Sequence, residues 1–408
     1  MLRDWIQERH FSAFTDGSTF HPMTVPLDGD GPLYRQIYRA LRSEILGGRL
    51  GPGDRLPSTR ALAADAGVSR NIAVLAYDQL LAEGYALARR GSGTVVAPLP
   101  EKTLLRPATA APKTLQRSPK LAPAGKRVLE LYGRGRLRWE IHGPRMPYDF
   151  RFGRPSFGDF PHATWCRLLG RRARRASIRD LDYGAAEGRI ELREAIAERL
   201  RRLRGVDCDA ERIVVVNGSQ QALDLVARLL LAPGDGVLIE EPHYAGARSV
   251  FLAAGARLLP SPVDGDGMQV PRRKASGASP RLAYVTPSHQ FPTGAVMPLA
   301  RRLELLTWAE HHGVVIFEDD YDSEYRYGGA PVPALQGLDR SGLVIYGGTF
   351  SKLMFPALRL GYVVLPEALL TPMIAAKALA DTGCATLEQL TLADFIREGH
   401  FDRHVRRS

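Results

Sequence analysis

The sequence predicts an α/β protein with two domains: an N-terminal winged helix-turn-helix module and a larger domain built on a mostly parallel sheet with helices on both faces. At 408 residues the chain exceeds the roughly 100–200 residues of a usual single domain. Residues 31–96 alternate short helical patterns with Gly and Pro, and they end in "ARRGSGTVV", which is typical of a hairpin. From about residue 146, short β-branched runs alternate with helical stretches, a pattern typical of a parallel sheet.

The small module follows an N-terminal extension (residues 1–30) and is predicted to span residues 31–97. Ser58 is a candidate N-cap for a helix through Asp65, and Gly67 suits the tight turn that follows. Ser69 is expected to cap a second helix, which gives the arrangement of a helix-turn-helix. The residues of this second helix expected to face inward are Ile72, Leu75, Ala76 and Leu80.

The start of that second helix carries side chains suited to reading DNA. In a helix-turn-helix, the first residues of the second helix meet base edges in the major groove. The side chains here can all hydrogen-bond bases, and glycines in the hairpin would let a wing approach the minor groove closely. The alternative is a small packing unit whose polar residues face water. The DNA contacts expected under the first interpretation are Arg60, Ser69, Arg70, Asn71, Arg90 and Gly91.

Residues 98–145 are predicted to be a linker. They are rich in Pro, Ala, Lys and Arg, a composition that buries too little apolar surface to fold alone. Much of the chain's net charge of +11 lies in this region, which suggests a polyanionic partner. A plain solvated spacer and an arm that touches the DNA backbone both remain open.

Cysteine usage and the N-terminus indicate a cytoplasmic protein. The three cysteines, Cys166, Cys208 and Cys384, are scattered and have no metal-ligand spacing, which fits a reducing compartment. The N-terminal "MLRDWIQERHF" lacks the apolar core of a signal peptide, and no apolar run reaches the length of a membrane span. No metal site is expected.

The large domain is predicted over residues 146–365. In doubly wound sheets of this kind, ligands bind at the carboxyl ends of the strands, so the residues that follow each strand are the functional candidates. The predicted strands are "RIVVVNG", "GVLIEEP", "RLAYVTP", "GVVIFEDD" and "GLVIYGG".

Lys352 stands just after the last of these strands, among hydroxyl groups and near an arginine. The amine of a lone lysine beside an apolar run more often reaches solvent than takes part in catalysis. Its neighbours Thr349, Ser351 and Arg359 favour another interpretation, because hydroxyls, amides and an arginine together bind a phosphate monoester. An uncharged lysine in a dry pocket is also what a Schiff base requires.

The other strand ends supply matching groups. A strand-to-helix turn offers a second phosphate cradle, an aromatic ring is available to stack on a planar cofactor, and a carboxylate can pair with a pyridinium nitrogen. Each group alone is a weak signal, but their order on successive strands of one sheet makes the set specific. These candidates are Gly218, Ser219, Gln220, Tyr244, His289, Asp319 and Tyr321.

Both halves of the chain resemble known families. "LPSTRALA", "GVSRNIAVLAYDQLLAEG" and "GSGT" resemble the GntR-type winged helix, which implies DNA binding. "TPSHQFPTG", "EDDYDSEYRY" and "GTFSKLMFPALRLGY" resemble fold-type I enzymes that use pyridoxal 5′-phosphate. The fusion of the two resembles the MocR family of transcription regulators.

This resemblance implies roles for the candidate residues. Lys352 would carry the internal aldimine, Asp319 would pair with the pyridine nitrogen, and Tyr321 would bond the phenolic oxygen. Tyr244 would stack on the ring. The residues that would surround the phosphate are Ser219, Gln220, Thr349, Ser351 and Arg359.

The chain ends 56 residues after Lys352, which leaves room only for the start of the small C-terminal domain of fold-type I proteins. We therefore expect residues 366–408 to be an incomplete small domain, and the arginine that would hold an effector carboxylate is not assigned. The leading hypothesis is a homodimeric regulator that senses pyridoxal phosphate, or an amine or amino acid that reacts with it. An aminotransferase with a DNA-binding appendage, and a repressor with an inert cofactor domain, remain alternatives.

Overall fold

The structure is a computed structural model that describes residues 26–89, 93–99, 120–133, 153–271, 279–325 and 333–408. The chain divides into two compact units, residues 1–118 and residues 119–408. Within the described ranges, none of the helices combines the length and apolar character needed to cross a bilayer.

The first unit contains three helices and a two-stranded antiparallel sheet around an apolar core. Its core is built by residues that include Ile37 and Leu41 from the first helix, Leu62 from the second and Leu80 from the third, all with no exposed surface. Its elements are α1 (Leu33–Leu46), α2 (Thr59–Asp65), α3 (Arg70–Ala82), β1 (Ala86–Arg89) and β2 (Gly93–Val96).

The local details of this unit partly follow the sequence prediction. The Ser58 hydroxyl accepts from the Ala61 N–H at 3.2 Å, so α2 begins as predicted, and Gly67 adopts the left-handed backbone of a tight turn (φ +64°). Ser69 does precede α3, but its side chain makes no capping hydrogen bond in the described structure.

The prediction for the inward face of α3 was wrong at Leu75. Its side chain is 51% exposed, whereas the buried residues of the helix are Ala73, Ala76, Tyr77 and Leu80. These four follow the spacing i, i+3, i+4, i+7 of a single helical stripe, and Leu75 lies outside it. The stripe passes through a small residue, Ala73, where α3 packs closely on its neighbours.

The second unit is built on an eight-stranded, mostly parallel sheet, as predicted. Its strand order is β3-β10-β9-β8-β7-β4-β5-β6; β10 runs antiparallel to both of its neighbours, β6 runs antiparallel to β5, and the other pairs are parallel. The strands are β3 (Ile213–Val216), β4 (Gly236–Glu241), β5 (Arg257–Asp264), β6 (Gly267–Met268), β7 (Pro280–Val285), β8 (Val315–Asp320), β9 (Val344–Thr349) and β10 (Gly361–Val364).

Helices cover both faces of this sheet because successive side chains of each strand point to opposite sides. Val214 and Val216 of β3 pack in the same core cluster as Leu223, while Ile213 and Val215 belong to the cluster on the other face. The helices are α4 (Pro123–Gly133), α5 (His162–Arg175), α6 (Ile178–Leu181), α7 (Ile190–Arg204), α8 (Ser219–Leu230), α9 (Ala245–Ala254), α10 (Leu299–His312), α11 (Glu367–Asp381), α12 (Thr386–Arg397) and α13 (His400–Val405).

Part of the segment predicted as a linker is a helix of the second unit. Helix α4 packs against α9, and the Arg127 side chain donates to the Ala253 carbonyl oxygen at 3.1 Å. The composition of residues 98–145 hid this element, because α4 packs on α9, a helix that is distant in sequence. The boundary predicted near residue 365 stays a prediction, and α12 and α13 pack with α5 and α7 in the same apolar cluster.

Candidate functional site

The carboxyl ends of β3, β4, β7, β8 and β9 lie at one edge of the sheet and open onto a cavity of about 870 Å³. Parallel strands bring their ends to the same edge, so residues far apart in sequence meet there. The predicted residues that line this cavity are Ser219, Tyr244, Asp319, Tyr321, Thr349 and Lys352.

Lys352 lies in the turn after β9, and its amine donates to the Gly153 carbonyl oxygen at 3.2 Å. Burial lowers the pKa of this amine, and the Asp319 carboxylate partly opposes that effect. A lysine whose pKa is lowered reaches the neutral, nucleophilic form more readily. Gly153 has a φ of +75°, a backbone conformation that favours glycine, and a Cβ there would lie 2.2 Å from the Lys352 Nζ, so the amine would have to shift for any larger residue.

Asp319 near the end of β8 presents one carboxylate oxygen without a partner. The Tyr284 hydroxyl donates to Oδ2 at 2.7 Å, whereas Oδ1 is buried and has no hydrogen-bond partner among the described residues. Burial raises the pKa of this carboxyl to about 6, although the hydrogen bond from Tyr284 acts in the opposite direction. A buried acceptor of this kind fits a ligand that brings a positively charged N–H group.

Aromatic rings form one side of the cavity. The Phe291 ring stands edge-on to Tyr244 at 5.9 Å and edge-on to Tyr321 at 6.0 Å, measured between centroids. Burial raises the pKa of Tyr244 to about 12, so its hydroxyl remains protonated at neutral pH. These rings offer flat apolar surface to a planar ligand, and the phenols add hydrogen-bond donors.

The turn between β3 and α8 is shaped like an anion site. Gly218 precedes the helix with a φ of +82°, and Ser219 is its first residue, so the turn carries the N–H groups of a helix start, which are donors suited to an anion. The Arg359 guanidinium donates to the Asn217 carbonyl oxygen at 2.8 Å. A Cβ on Gly218 would lie 2.9 Å from the Arg359 Nη2, so glycine is what lets the arginine approach the turn.

The remaining predicted site residues have partners in the protein. Ser351 donates its N–H to the Thr349 hydroxyl at 3.2 Å. Gln220 donates to the Gly246 carbonyl oxygen at 3.1 Å. His289 lies 2.9 Å from an Asp322 carboxylate oxygen, and this contact raises the pKa of the imidazole. Direct contacts of Gln220 and His289 with a ligand stay a prediction.

Sequence reasoning missed Gly153, Asn217, Tyr284 and Phe291. Tyr284 carried a weak signal, since it is the one hydroxyl in the apolar strand "RLAYV". Gly153 and Phe291 stand in irregular segments, where no periodicity indicates which backbone or ring will face the lysine.

The predicted DNA contacts that the structure describes are exposed at one end of α3 and on α2. Arg70 and Asn71 are the first residues of α3, Ser69 precedes them, and Arg60 lies on α2. Arg90 and Gly91 lie outside the described residues, so their predicted contacts stay a prediction.

Comparison with known proteins matches both units. Residues 33–96 match the family "Bacterial regulatory proteins, gntR family", and residues 167–394 match "Aminotransferase class I and II". The chain is 46% identical over 94% of its length to the probable rhizopine catabolism regulatory protein MocR of Rhizobium meliloti, of which it covers 76%. The chain belongs to the MocR family.

Other similarities agree with this assignment. The chain is 37% identical to the HTH-type transcriptional regulator TauR of Rhodobacter capsulatus, over 94% of this chain and 80% of TauR. It is also similar to the crystal structure of LysN, an alpha-aminoadipate aminotransferase from Thermus thermophilus complexed with N-(5′-phosphopyridoxyl)-L-leucine. That similarity has 34% identity and a TM-score of 0.57, and it covers 62% of this chain and 65% of LysN. The two predicted folds, the GntR-type winged helix and the fold-type I aminotransferase domain, are therefore confirmed.

The cavity of this MocR-family chain fits pyridoxal phosphate. The buried Asp319 Oδ1 would accept a hydrogen bond from a protonated ring nitrogen, and Lys352 would supply the amine. The start of α8 together with Arg359 would hold the phosphate.

Proposed function

We propose that this protein is a pyridoxal phosphate-dependent transcription regulator whose cavity recognises an amine or amino acid. When bound, pyridoxal phosphate supplies an aldehyde that combines reversibly with amines and a ring that withdraws electrons. The observation that carries the proposal is that Lys352 and Asp319 line the same cavity, where the buried Asp319 Oδ1 has no hydrogen-bond partner among the described residues. The same chain also contains a GntR-type DNA-binding unit.

Different residues of the cavity would hold different parts of such a ligand. Asp319 would keep the ring nitrogen protonated, because a negative charge with a free lone pair stabilises a cation beside it. Tyr321 would donate to the ring oxygen, and Tyr244 would cover a ring face. Lys352 would place its amine beside the aldehyde carbon.

An effector can switch the protein only if it binds two conformations with different affinity. An effector amine that competes with Lys352 for the aldehyde would change what the turn after β9 contacts, and Lys352 in this turn lines the cavity. We propose that this local change alters how the DNA-binding units engage paired half-sites.

A homodimer is part of the proposal. Large apolar side chains are exposed on and after α6: Ile178 is 85% exposed, Leu181 72% and Tyr183 86%. Such a group of exposed apolar residues supports an interaction surface, and a second copy of the chain is the partner that paired half-sites require. Sedimentation equilibrium of the full chain tests the homodimer.

Because the protein acts on DNA, a cytoplasmic location is also proposed.

The test of the function titrates amines and amino acids into the cofactor-loaded full chain while its absorbance spectrum and its DNA footprint are recorded. An effector should change both, without accumulation of a keto acid. Lys352→Ala should remove the spectral response while the DNA-binding unit remains folded. Sustained keto-acid production would instead support the aminotransferase alternative. A wild-type protein with no cofactor absorbance would refute the proposal.

A further inference from the structure

A charged network ties the turn before α8 to the end of α11. Asp381, the last residue of α11, accepts from the side chains of Asn217 and Gln221 at 2.6 Å each, both on Oδ2. Its Oδ1 accepts from the Lys377 amine at 2.5 Å and from the Gly383 N–H at 3.1 Å. One carboxylate thus joins two side chains of the turn region to α11.

The network is built around an ion pair that is largely removed from water. Lys377 has no exposed surface, and Asp381 follows it at the i, i+4 spacing of a helical pair. Burial alone would raise the pKa of the Asp381 carboxyl, but the hydrogen bonds from Gln221 and Lys377 outweigh it and lower the pKa. The carboxylate is therefore ionised at neutral pH, and Lys377 neutralises its charge.

Asn217 connects the Asp381 network to the proposed phosphate site. Its side chain is held by Asp381, its N–H donates to the Gln221 side chain at 2.8 Å, and its carbonyl oxygen accepts from Arg359 at 2.8 Å. The next residue is Gly218, which begins the anion-binding turn. The N–H, the carbonyl oxygen and the side-chain amide nitrogen of Asn217 are thus all hydrogen-bonded, which sets both the turn and the arginine opposite it.

We propose that Asp381, supported by Lys377, is a positioning residue for the phosphate site of this protein. The proposal rests on the proposed function, since it concerns the phosphate of the same cofactor. Without the carboxylate, Asn217 and Gln221 lose their shared acceptor, and Arg359 loses the fixed carbonyl that orients it. In the part of the chain that the structure describes, Lys352 bonds to Gly153 and Asp319 to Tyr284, outside this network, so both should stay in place. The effect is therefore confined to the phosphate end of the ligand.

The test compares pyridoxal phosphate with pyridoxal, which lacks the phosphate. Dissociation constants for both are measured by absorbance titration of the full chain, for the wild type and for Asp381→Asn. The substitution should weaken binding of pyridoxal phosphate by roughly tenfold or more, the size expected for one hydrogen bond to a charged group. Binding of pyridoxal should change by less than about twofold, since it does not use this part of the site.

Two further variants keep the outcome interpretable. Lys377→Met leaves an uncompensated carboxylate behind the turn, and it should also weaken pyridoxal phosphate more than pyridoxal. Asp394→Asn is the matched control: Asp394 pairs with Arg171 and Arg172 away from the turn, so its loss should leave the ratio of the two constants unchanged.

The results separate this inference from the proposed function. If Asp381→Asn and Lys377→Met weaken both ligands equally, or weaken neither, the positioning role is wrong while the function stands. If the wild type binds neither pyridoxal phosphate nor pyridoxal, the proposed function fails first.

Discussion

Glu240 is a buried carboxyl whose titration should make the protein less stable as pH rises. It lies near the end of β4 with 1% of its surface exposed. It accepts from the Thr286 N–H at 3.1 Å, from the Thr286 hydroxyl at 2.6 Å and from Gln290 at 3.1 Å. Burial nevertheless raises its pKa to about 7, against a value of 4.5 for the free side chain.

The sign and size of the effect follow from proton linkage. Between about pH 4.5 and 7 the native state holds a proton on Glu240 that the unfolded chain has lost, so the free energy of unfolding falls as pH rises. A tenfold change in proton affinity corresponds to about 1.4 kcal/mol, which makes the total loss about 3 kcal/mol. Glu240→Gln removes this titration from the protein.

The assay is denaturant unfolding of wild type and Glu240→Gln at several values of pH, followed by tryptophan fluorescence, to which buried Trp165 contributes. The free energy of unfolding of the wild type minus that of the variant should fall by about 3 kcal/mol between pH 4.5 and 7.5. Glu241→Gln is the control, because that side chain is 57% exposed. A difference for Glu240→Gln that stays flat or rises with pH would refute the assignment of a buried, protonated carboxyl.

Three further predictions concern the other parts of the chain. Arg70→Ala should weaken sequence-specific DNA binding by about 1–3 kcal/mol, measured by footprinting. Asp78→Ala on the same helix is the control and should leave binding unchanged. An unchanged footprint for Arg70→Ala would disprove the assignment of α3 as the recognition helix. Gly153→Ala should reduce cofactor absorbance, because its Cβ would lie 2.2 Å from the Lys352 Nζ on a backbone with φ +75°. Normal spectra for that variant would contradict the tight lysine pocket. Leu41→Ala should destabilise the DNA-binding unit by about 2–5 kcal/mol in thermal unfolding, since Leu41 has no exposed surface. A loss below about 0.5 kcal/mol would mean that α1 is not part of that core.

Much of the fold could be predicted because its signals are local. A short apolar run bounded by turn residues is typical of a buried strand, and β4, β7, β8 and β9 each carry one. Since parallel strands end at the same edge, their order also predicted that Lys352, Asp319 and Tyr244 would meet in one cavity. The interpretation of α3 failed at Leu75 because a short helix with apolar residues on several sides does not reveal which stripe will be covered.

The sequence by itself determined which chemical groups this protein has and at which strand ends they stand. Only the tertiary structure decided what those groups contact. The Lys352 amine is bonded to a carbonyl 199 residues away, and Asn217 to a carboxylate 164 residues away. No periodicity links such distant positions, because hydrogen bonds between loops depend on how the helices pack on the sheet. The Asp381 carboxylate that accepts from Asn217 and Gln221, like the glycine beside the lysine, becomes visible only when the chain is folded.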